Sequence, residues 1–567
     1  MHLETHEHGA KGVNETPADA LFASELVNEL PKVAQNVPGG VLDRAQLAYD
    51  ALLAGVFGLV VLNLDDHRCQ GLGDLVVEIS SQGAADLGLD LIDDVELLRG
   101  LHRPAGSRRR PLPNPVGFTP RPGVTQSATH VVHVCVTEAR QAQLGSQRDI
   151  YLLDYLFFAE IAGPPFVRVP IGFQRMTFPR GFLWGAGTAA HQVEGGNSLN
   201  DWWAWEHDPD SHCVEVSGDA CDHWNRYPAD LDLLAELGLR AYRFSVEWSR
   251  VEPREGAFSI AALDHYRQVC EAARQRGLEP IVTFHHFTTP AWLAAAGGWC
   301  EPSTAVRFGH FCEVVAGHLA GYFEFACTIN EPNVLASFGY EVGVFPPGER
   351  DPARRDRATA ILIDAHRQAV TAIRRAAPGV QTGMTVAMHE YLAVPGAEAI
   401  VAELKRTGED VFLAATEGDD FIGVQNYTRL HVGPEGIKGV PDGHRTNQVG
   451  FEFRPEALGA TVRRAAELTG LPVLVTENGI CTEDDAERIE YTGRALRGLE
   501  SCLEDGVKVL GYLHWSLLDS FEWVLGYWPK YGIIEVDRSR QARHPRPSAR
   551  WLGRIARANS LETLEAV

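Results

Sequence analysis

From about Met176 onward, short apolar runs rich in β-forming residues alternate with longer amphipathic segments, and the alternation repeats eight times. Runs at Phe182–Ala190, Ala241–Trp248, Pro280–Phe287, Phe323–Asn330, Thr382–His389, Phe421–Tyr427, Val473–Thr476 and Val509–Trp515 read as strands. Continuous apolar strands separated by helical segments describe a parallel sheet wrapped by helices. Eight such units in about 390 residues are what a closed (β/α)8 barrel requires. Helix punctuation agrees: Pro228–Gly238 reads as a helix with proline in its first turn and glycine at its end. Asp264–Gly277 reads the same way, with an acidic start and a glycine stop. The expected fold class is therefore α/β, a TIM barrel over residues 176–567 behind an N-terminal extension, residues 1–175.

The extension has a different character. Asp43–Leu62 is helix-like, Asp74–Ile79 and Ile150–Ile161 are apolar pieces, and nothing in residues 1–175 resembles a known family. His102–Pro122 carries Arg108-Arg109-Arg110 and six prolines, a density that opposes regular structure and reads as a linker. Met176 stands directly before Thr177-Phe-Pro-Arg-Gly, so the extension is expected to be dispensable, or to reflect an upstream start assignment. A module that directs a partner or a location is the alternative.

Charge and composition narrow the function. A formal net charge of −24 disfavours nucleic acid and anionic membrane as partners, because both need clustered Lys and Arg. The longest apolar run, Ala51–Val61, falls short of the ~20 residues that span a bilayer. Met1–Ala10 is polar and lacks the layout of a signal peptide. Ten cysteines are scattered without a framework spacing, which suits a reducing cytoplasm. Cys213 and Cys221, with His212 and His223 beside them, match no common zinc pattern, so no metal is expected there. Composition leaves the oligomeric state open, a homo-oligomer included.

The polar residues that carry chemistry gather at the ends of strands. Thr328-Ile-Asn-Glu-Pro332 closes the fourth and Val475-Thr-Glu-Asn-Gly479 closes the seventh, each with a glutamate beside an asparagine. Two carboxyl groups facing one pocket are the minimum for glycoside hydrolysis. One must be protonated to serve the leaving oxygen, and the other ionised to attack the anomeric carbon. Each glutamate alone is more often a surface or ion-paired residue; their joint placement at two strand ends favours a site.

With these motifs the chain resembles glycoside hydrolase family 1 from Thr177 to about Arg557. Phe178-Pro-Arg-Gly-Phe-Leu-Trp-Gly-Ala-Gly-Thr-Ala-Ala-His-Gln-Val-Glu-Gly195 looks like the family's first strand, and Tyr242-Arg-Phe-Ser-Val-Glu-Trp-Ser-Arg250 like its second. The two glutamate motifs match its fourth and seventh, and Trp515-Ser-Leu-Leu-Asp-Ser-Phe-Glu-Trp523 its eighth. The resemblance implies Glu331 as acid/base and Glu477 as nucleophile. It also implies that Arg243 holds the pKa of Glu477 down, that Tyr427 donates to the same carboxylate, and that Asn330 contacts the sugar 2-hydroxyl. Gln192, His286, Glu522 and Trp523 match ligands of the remaining hydroxyls, Trp515 the apolar floor under the ring, and Tyr531 a position near the +1 side where phenylalanine is common.

Departures bear on substrate preference. The family usually shows Asn-Tyr-Tyr where this chain has Gln425-Asn426-Tyr427, and often Trp where it has Phe287. The implied activity is a retaining exo-β-glycosidase on β-D-glucosides, with β-fucosides and β-galactosides as side substrates and no cofactor. Retention needs the two carboxyl groups about 5–5.5 Å apart. An ionised Glu522 is expected to repel a 6-phosphate. Transglycosylation is the alternative within the class. Outside it stand a non-catalytic sugar-binding relative and a nucleotide-dependent oxidoreductase, the latter resting on Gly185-Ala-Gly-Thr-Ala-Ala190, an imitation of a G-x-G-x-x-A turn.

Overall fold

The computed structural model describes residues 178–561. The readings made for the extension (the helix-like Asp43–Leu62 with its apolar run, the two apolar pieces, and the 102–122 linker) lie outside the described residues.

Eight parallel strands close into a barrel: β1 Leu183–Gly187, β2 Ala241–Ser245, β3 Glu279–His285, β4 Phe325–Asn330, β5 Gln381–Ala387, β6 Phe421–Gln425, β7 Val473–Asn478 and β8 Val509–His514. Each pairs with its sequence neighbours, and β1 closes the ring on β8 through Leu183 opposite Gly511. All eight strand segments read from the sequence are present. Outside the ring lie a small sheet of Glu390–Ala393, Arg429–Gly433 and Gly436–Lys438, and a hairpin of Ile534–Asp537 with Ala542–Pro545.

Two helix starts differ from expectation. The helix expected from Pro228 begins at His223, so the proline sits inside it. Its start is held from behind: the Asp222 carbonyl accepts from Asn225 and Arg226, and the Asp222 side chain accepts from both of their side chains. The helix expected from Asp264 begins at Ile260, because Ser259 caps it by accepting from the backbone of Ala262. Both end as expected, with Gly238 and Gly277 at positive φ.

The barrel interior has its own apolar cluster, formed by Ala241, Ile281, Phe325, Cys327, Phe421, Leu474 and Leu513. Side chains alternate along a strand, so these residues fix which positions further along point inward. From Ala241 the count gives Arg243; from Ile281, Thr283; from Phe421, Gln425. It fails on the two strands that carry the glutamates. In β4 the register shifts between Cys327 and Asn330, and in β7 between Val475 and Glu477. Strict alternation from Leu474 would turn Glu477 away from the axis. An irregularity that re-aims a side chain beside an active site is a known use of the β-bulge.

The glycines of the nucleotide-like turn have packing roles instead. Both lie in β1: a Cβ on Gly185 would stand 2.3 Å from the Ala241 carbonyl oxygen, and one on Gly187 would meet the Trp515 ring at 3.2 Å. They let neighbouring strands and an indole approach closely. Among the described residues, no helix is long and apolar enough to cross a membrane.

Candidate active site

Arg243 lies at the centre of the strand-end residues and is fully buried. Its Nη1 donates to Glu477 Oε1 at 2.5 Å, its Nη2 to Asn330 Oδ1 at 2.5 Å, and its Nε to Thr283 Oγ1 at 3.0 Å. Tyr427 donates to the other oxygen of Glu477 at 2.6 Å, and its ring meets that of Tyr531 edge-on at 5.8 Å. Glu477 therefore receives a charged and a neutral donor, one on each oxygen.

Hydrogen-bond polarity runs outward from the guanidinium. Arginine has only donors, so the Asn330 atom facing it must be the carbonyl oxygen. Gln425 Nε2 (2.8 Å) and Thr385 Oγ1 (3.2 Å) donate to that same oxygen. Asn330 Nδ2 then faces His286 Nε2 at 3.2 Å. Burial, reinforced by the charge of Arg243, pushes the pKa of His286 well down, so the ring is neutral and accepts at Nε2. Its proton is left on Nδ1, which has no protein partner.

The residues expected on the sugar side lie beside the same group. His286 stacks on Trp515 at 5.7 Å and on Trp523 at 6.1 Å. Gln192 donates through Nε2 to the Phe521 carbonyl at 2.8 Å, beside Glu522, while its Oε1 has no protein partner. Ser520 donates to Glu522 at 3.1 Å. Of the site residues read from the sequence, only Glu331 makes no such contact; it follows Asn330 and anchors its backbone N–H on the Thr385 carbonyl at 2.9 Å. Phe287, Glu331 and Trp523 all hold left-handed backbone conformations, at φ of 68°, 41° and 56°. Such strain in non-glycine residues costs about 1–3 kcal/mol each and gathers at functional sites.

The two central glutamates differ in electrostatics. Burial and the charge of Glu477 push Glu331 well above the ordinary carboxyl range, and Arg243, which makes no hydrogen bond to it, offsets them only in part. Burial also raises Glu477, while Arg243 and Tyr427 pull it back. The expectation that Arg243 holds Glu477 down needs correcting: the guanidinium offsets burial without overcoming it. Within the pair the proton still belongs on Glu331, the member without a contacting cation. A second correction concerns Glu522. Burial raises its pKa to about 8, which favours the protonated acid at neutral pH and weakens the expected charge repulsion of a 6-phosphate.

Gln425, read from the sequence only as a departure bearing on substrate preference, holds Asn330. Thr283, Thr385 and His191 were not singled out from the sequence: Thr283 holds Arg243, Thr385 holds Asn330, and His191 stacks on Trp523 at 5.9 Å while bonding Glu206 at 3.2 Å. Alternation from Ile281 and Phe421 marks Thr283 and Gln425 as inward; for the His191–Glu206 pair no sequence signal stands out.

One group among the described residues has metal-ligand geometry: His431, His444 and Glu452, with ligand atoms within 4.8 Å of one another. Arg429 takes both oxygens of Glu452, at 2.6 and 2.8 Å, and the histidines add bonds of 2.9 and 2.7 Å. The carboxylate already has its counter-charge, so the group is an ion-pair hub. Desolvation raises the pKa of Glu452, but the Arg429 and histidine hydrogen bonds win and lower it to about 2. A depressed carboxyl stabilises the fold above its unfolded pKa, and that contribution fades as pH falls from about 4.5 toward 2. Glu452→Gln is expected to cost roughly 2 kcal/mol at pH 7, discounted for partial exposure. Thermal melts of both proteins at pH 7 and near pH 3 check this: the gap should shrink at the lower pH. The other cluster considered, around Cys213 and Cys221, is differently engaged: Cys221 donates to the Asp519 carbonyl, and His223 is held by Asp230 and Tyr242.

A closed (β/α)8 barrel with two glutamates at the ends of β4 and β7, among aromatic rings and unmatched polar atoms, defines a glycoside-cleaving enzyme. The family model described as Glycosyl hydrolase family 1 matches residues 174–409 and 435–561, and the chain belongs to that family. It is a glycoside hydrolase of the β-glucosidase type. Beta-glucosidase A of Thermotoga maritima is 30% identical over 440 residues, covering 68% of this chain and 99% of that protein. Thermostable beta-glucosidase B of Thermobispora bispora is 32% identical over 450 residues, covering 69% and 93%. Among solved structures, beta-glycosidase BGL167 is 45% identical with a TM-score of 0.64, covering 68% of this chain and 98% of its own.

Proposed function

We propose that the protein is a retaining exo-β-glycosidase acting on β-D-glucosides by double displacement. The observation that carries this reading is the division of labour between the glutamates: Glu477 gripped by Arg243 and Tyr427, Glu331 raised and without a contacting cation. An oxygen of Glu477 attacks the anomeric carbon as the glycosidic bond breaks, and the proton of Glu331 goes to the departing oxygen. Water then attacks the same carbon, gives its proton to Glu331, and frees Glu477. Asn330 serves the 2-hydroxyl, whose contacts strengthen in the transition state. His286 Nδ1 and Gln192 Oε1, buried without protein partners, are a donor and an acceptor for other hydroxyls. Trp515 forms the floor; Glu522 and Trp523 close the far end, and Tyr531 stands toward the aglycone.

NMR of the first-formed product from 4-nitrophenyl β-D-glucoside tests the mechanism: β-glucose is expected, and α-glucose appearing first would overturn retention. The same assay on residues 176–567 tests our inference that the extension is dispensable, activity within about threefold of the full chain being expected. The eight described cysteines are free, which fits a reducing compartment, and we place the enzyme in the cytoplasm.

Glu522 adds a pH signature. An ionised carboxylate accepts hydroxyl hydrogen bonds more strongly than a protonated one. Because burial places the Glu522 pKa at about 8, glucose that binds the ionised form in preference should release a proton at neutral pH. Affinity for glucose is expected to rise with pH up to about 8, by as much as roughly tenfold per unit, and then level off. In Glu522→Gln that slope should vanish, which inhibition constants for glucose between pH 6 and 9 would reveal.

A further inference from the structure

We propose that Gln425 is a positioning residue for recognition of the sugar 2-hydroxyl, acting through Asn330; the inference rests on the function proposed above. Gln425 ends β6 opposite Glu477 of β7 and Ala387 of β5, and its side chain is buried. Its Nε2 donates to Asn330 Oδ1 at 2.8 Å, joining Arg243 and Thr385 on a single oxygen. Three donors converging on one amide oxygen fix the plane of that amide and forbid its flip. Asn330 Nδ2, the half that can serve a sugar hydroxyl, is thereby held on the far side, where it also meets His286. The reach depends on length. This position closes a strand on the barrel axis, and glutamine carries its amide one methylene further toward Asn330 than asparagine would.

The other half of the Gln425 amide strengthens the argument. Its Oε1 is buried without a protein partner. A buried acceptor left unpaired is destabilising, and an apolar side chain of similar shape would avoid that cost. The amide is therefore kept for what its N–H group does. Asn426, next in the chain, follows a separate logic: it donates to the carbonyls of Met388 and Thr428 and clamps backbone.

The test is a comparison of kcat and KM on 4-nitrophenyl β-D-glucoside and its 2-deoxy analogue, for wild type, Gln425→Met and Gln425→Asn. Melting temperatures confirm that each variant is folded. Gln425→Met should lower kcat/KM on the glucoside roughly tenfold, mainly through kcat, the size of one hydrogen bond realised in the transition state. On the 2-deoxy substrate, which lacks the hydroxyl that Asn330 serves, the loss should stay within about twofold. Gln425→Asn, a shorter amide donor, should recover part of the glucoside rate. Equal losses on both substrates would reduce Gln425 to a packing residue and overturn the inference while leaving the proposed function intact, as would no loss at all. A folded wild type inert toward the glucoside would sink both.

Discussion

Glu477→Gly is expected to lower kcat on 4-nitrophenyl β-D-glucoside by roughly 10⁵-fold, the scale seen when a covalent nucleophile is deleted. Without that carboxylate no glucosyl-enzyme can form, and Arg243 is left as a buried cation facing an anion-sized space. Azide fits both needs, being a small nucleophilic anion that can attack the anomeric carbon from the vacated side. The expected product is α-glucosyl azide, formed while Glu331 still protonates the leaving group. A variant that keeps its rate would show that another group attacks. Azide rescue yielding the β-azide would mean that the two glutamates had been assigned the wrong way round.

Glu331→Ala should produce a different pattern, and the contrast is the informative part. Removing the acid is expected to slow the first step in proportion to how badly the leaving group needs a proton, roughly 10³-fold or more for an alkyl glucoside. A 2,4-dinitrophenyl glucoside, whose phenolate leaves unaided, should form the glucosyl-enzyme almost normally and then stall, because water lacks its base. Azide needs no base, so it should release β-glucosyl azide and restore turnover. In the wild type the pKa of Glu331 should also fall once Glu477 is esterified, since the neighbouring negative charge is gone. Glu331 should therefore set the basic limb of kcat/KM, where it is the acid, whereas under conditions that accumulate the glucosyl-enzyme it acts as the base, and kcat should lose that basic limb and show an acidic limb at lower pH instead.

The eight strands were legible because parallel, doubly buried strands are written as unbroken apolar runs, and because motif residues sit at their ends. Arg243 and Gln425 could be aimed from alternation alone, counting from Ala241 and Phe421. Glu477 and Asn330 could not: their strands carry register shifts, and a bulge leaves no mark in composition. Helix starts were misplaced for a related reason. Pro228 signals a first turn by propensity, yet tertiary contacts around Asp222 and His223 begin the helix five residues earlier. The protonation of Glu522 was invisible because burial depends on how the loop after β8 folds over it, which no local pattern records.

Arg243 reaches from β2 to β3, to β4 and across the axis to β7. These strands are not one contiguous sector of the ring, since β1 and β8 stand between β2 and β7 on one side. Activity in this enzyme is accordingly expected to report on ring closure. A fluctuation that moves β2 away from β7 would leave the guanidinium without its carboxylate, and should silence the chemistry before the helices outside unravel. On heating or in mild denaturant, turnover should disappear ahead of helical circular dichroism, so that the catalytic centre doubles as the molecule's own early warning of unfolding.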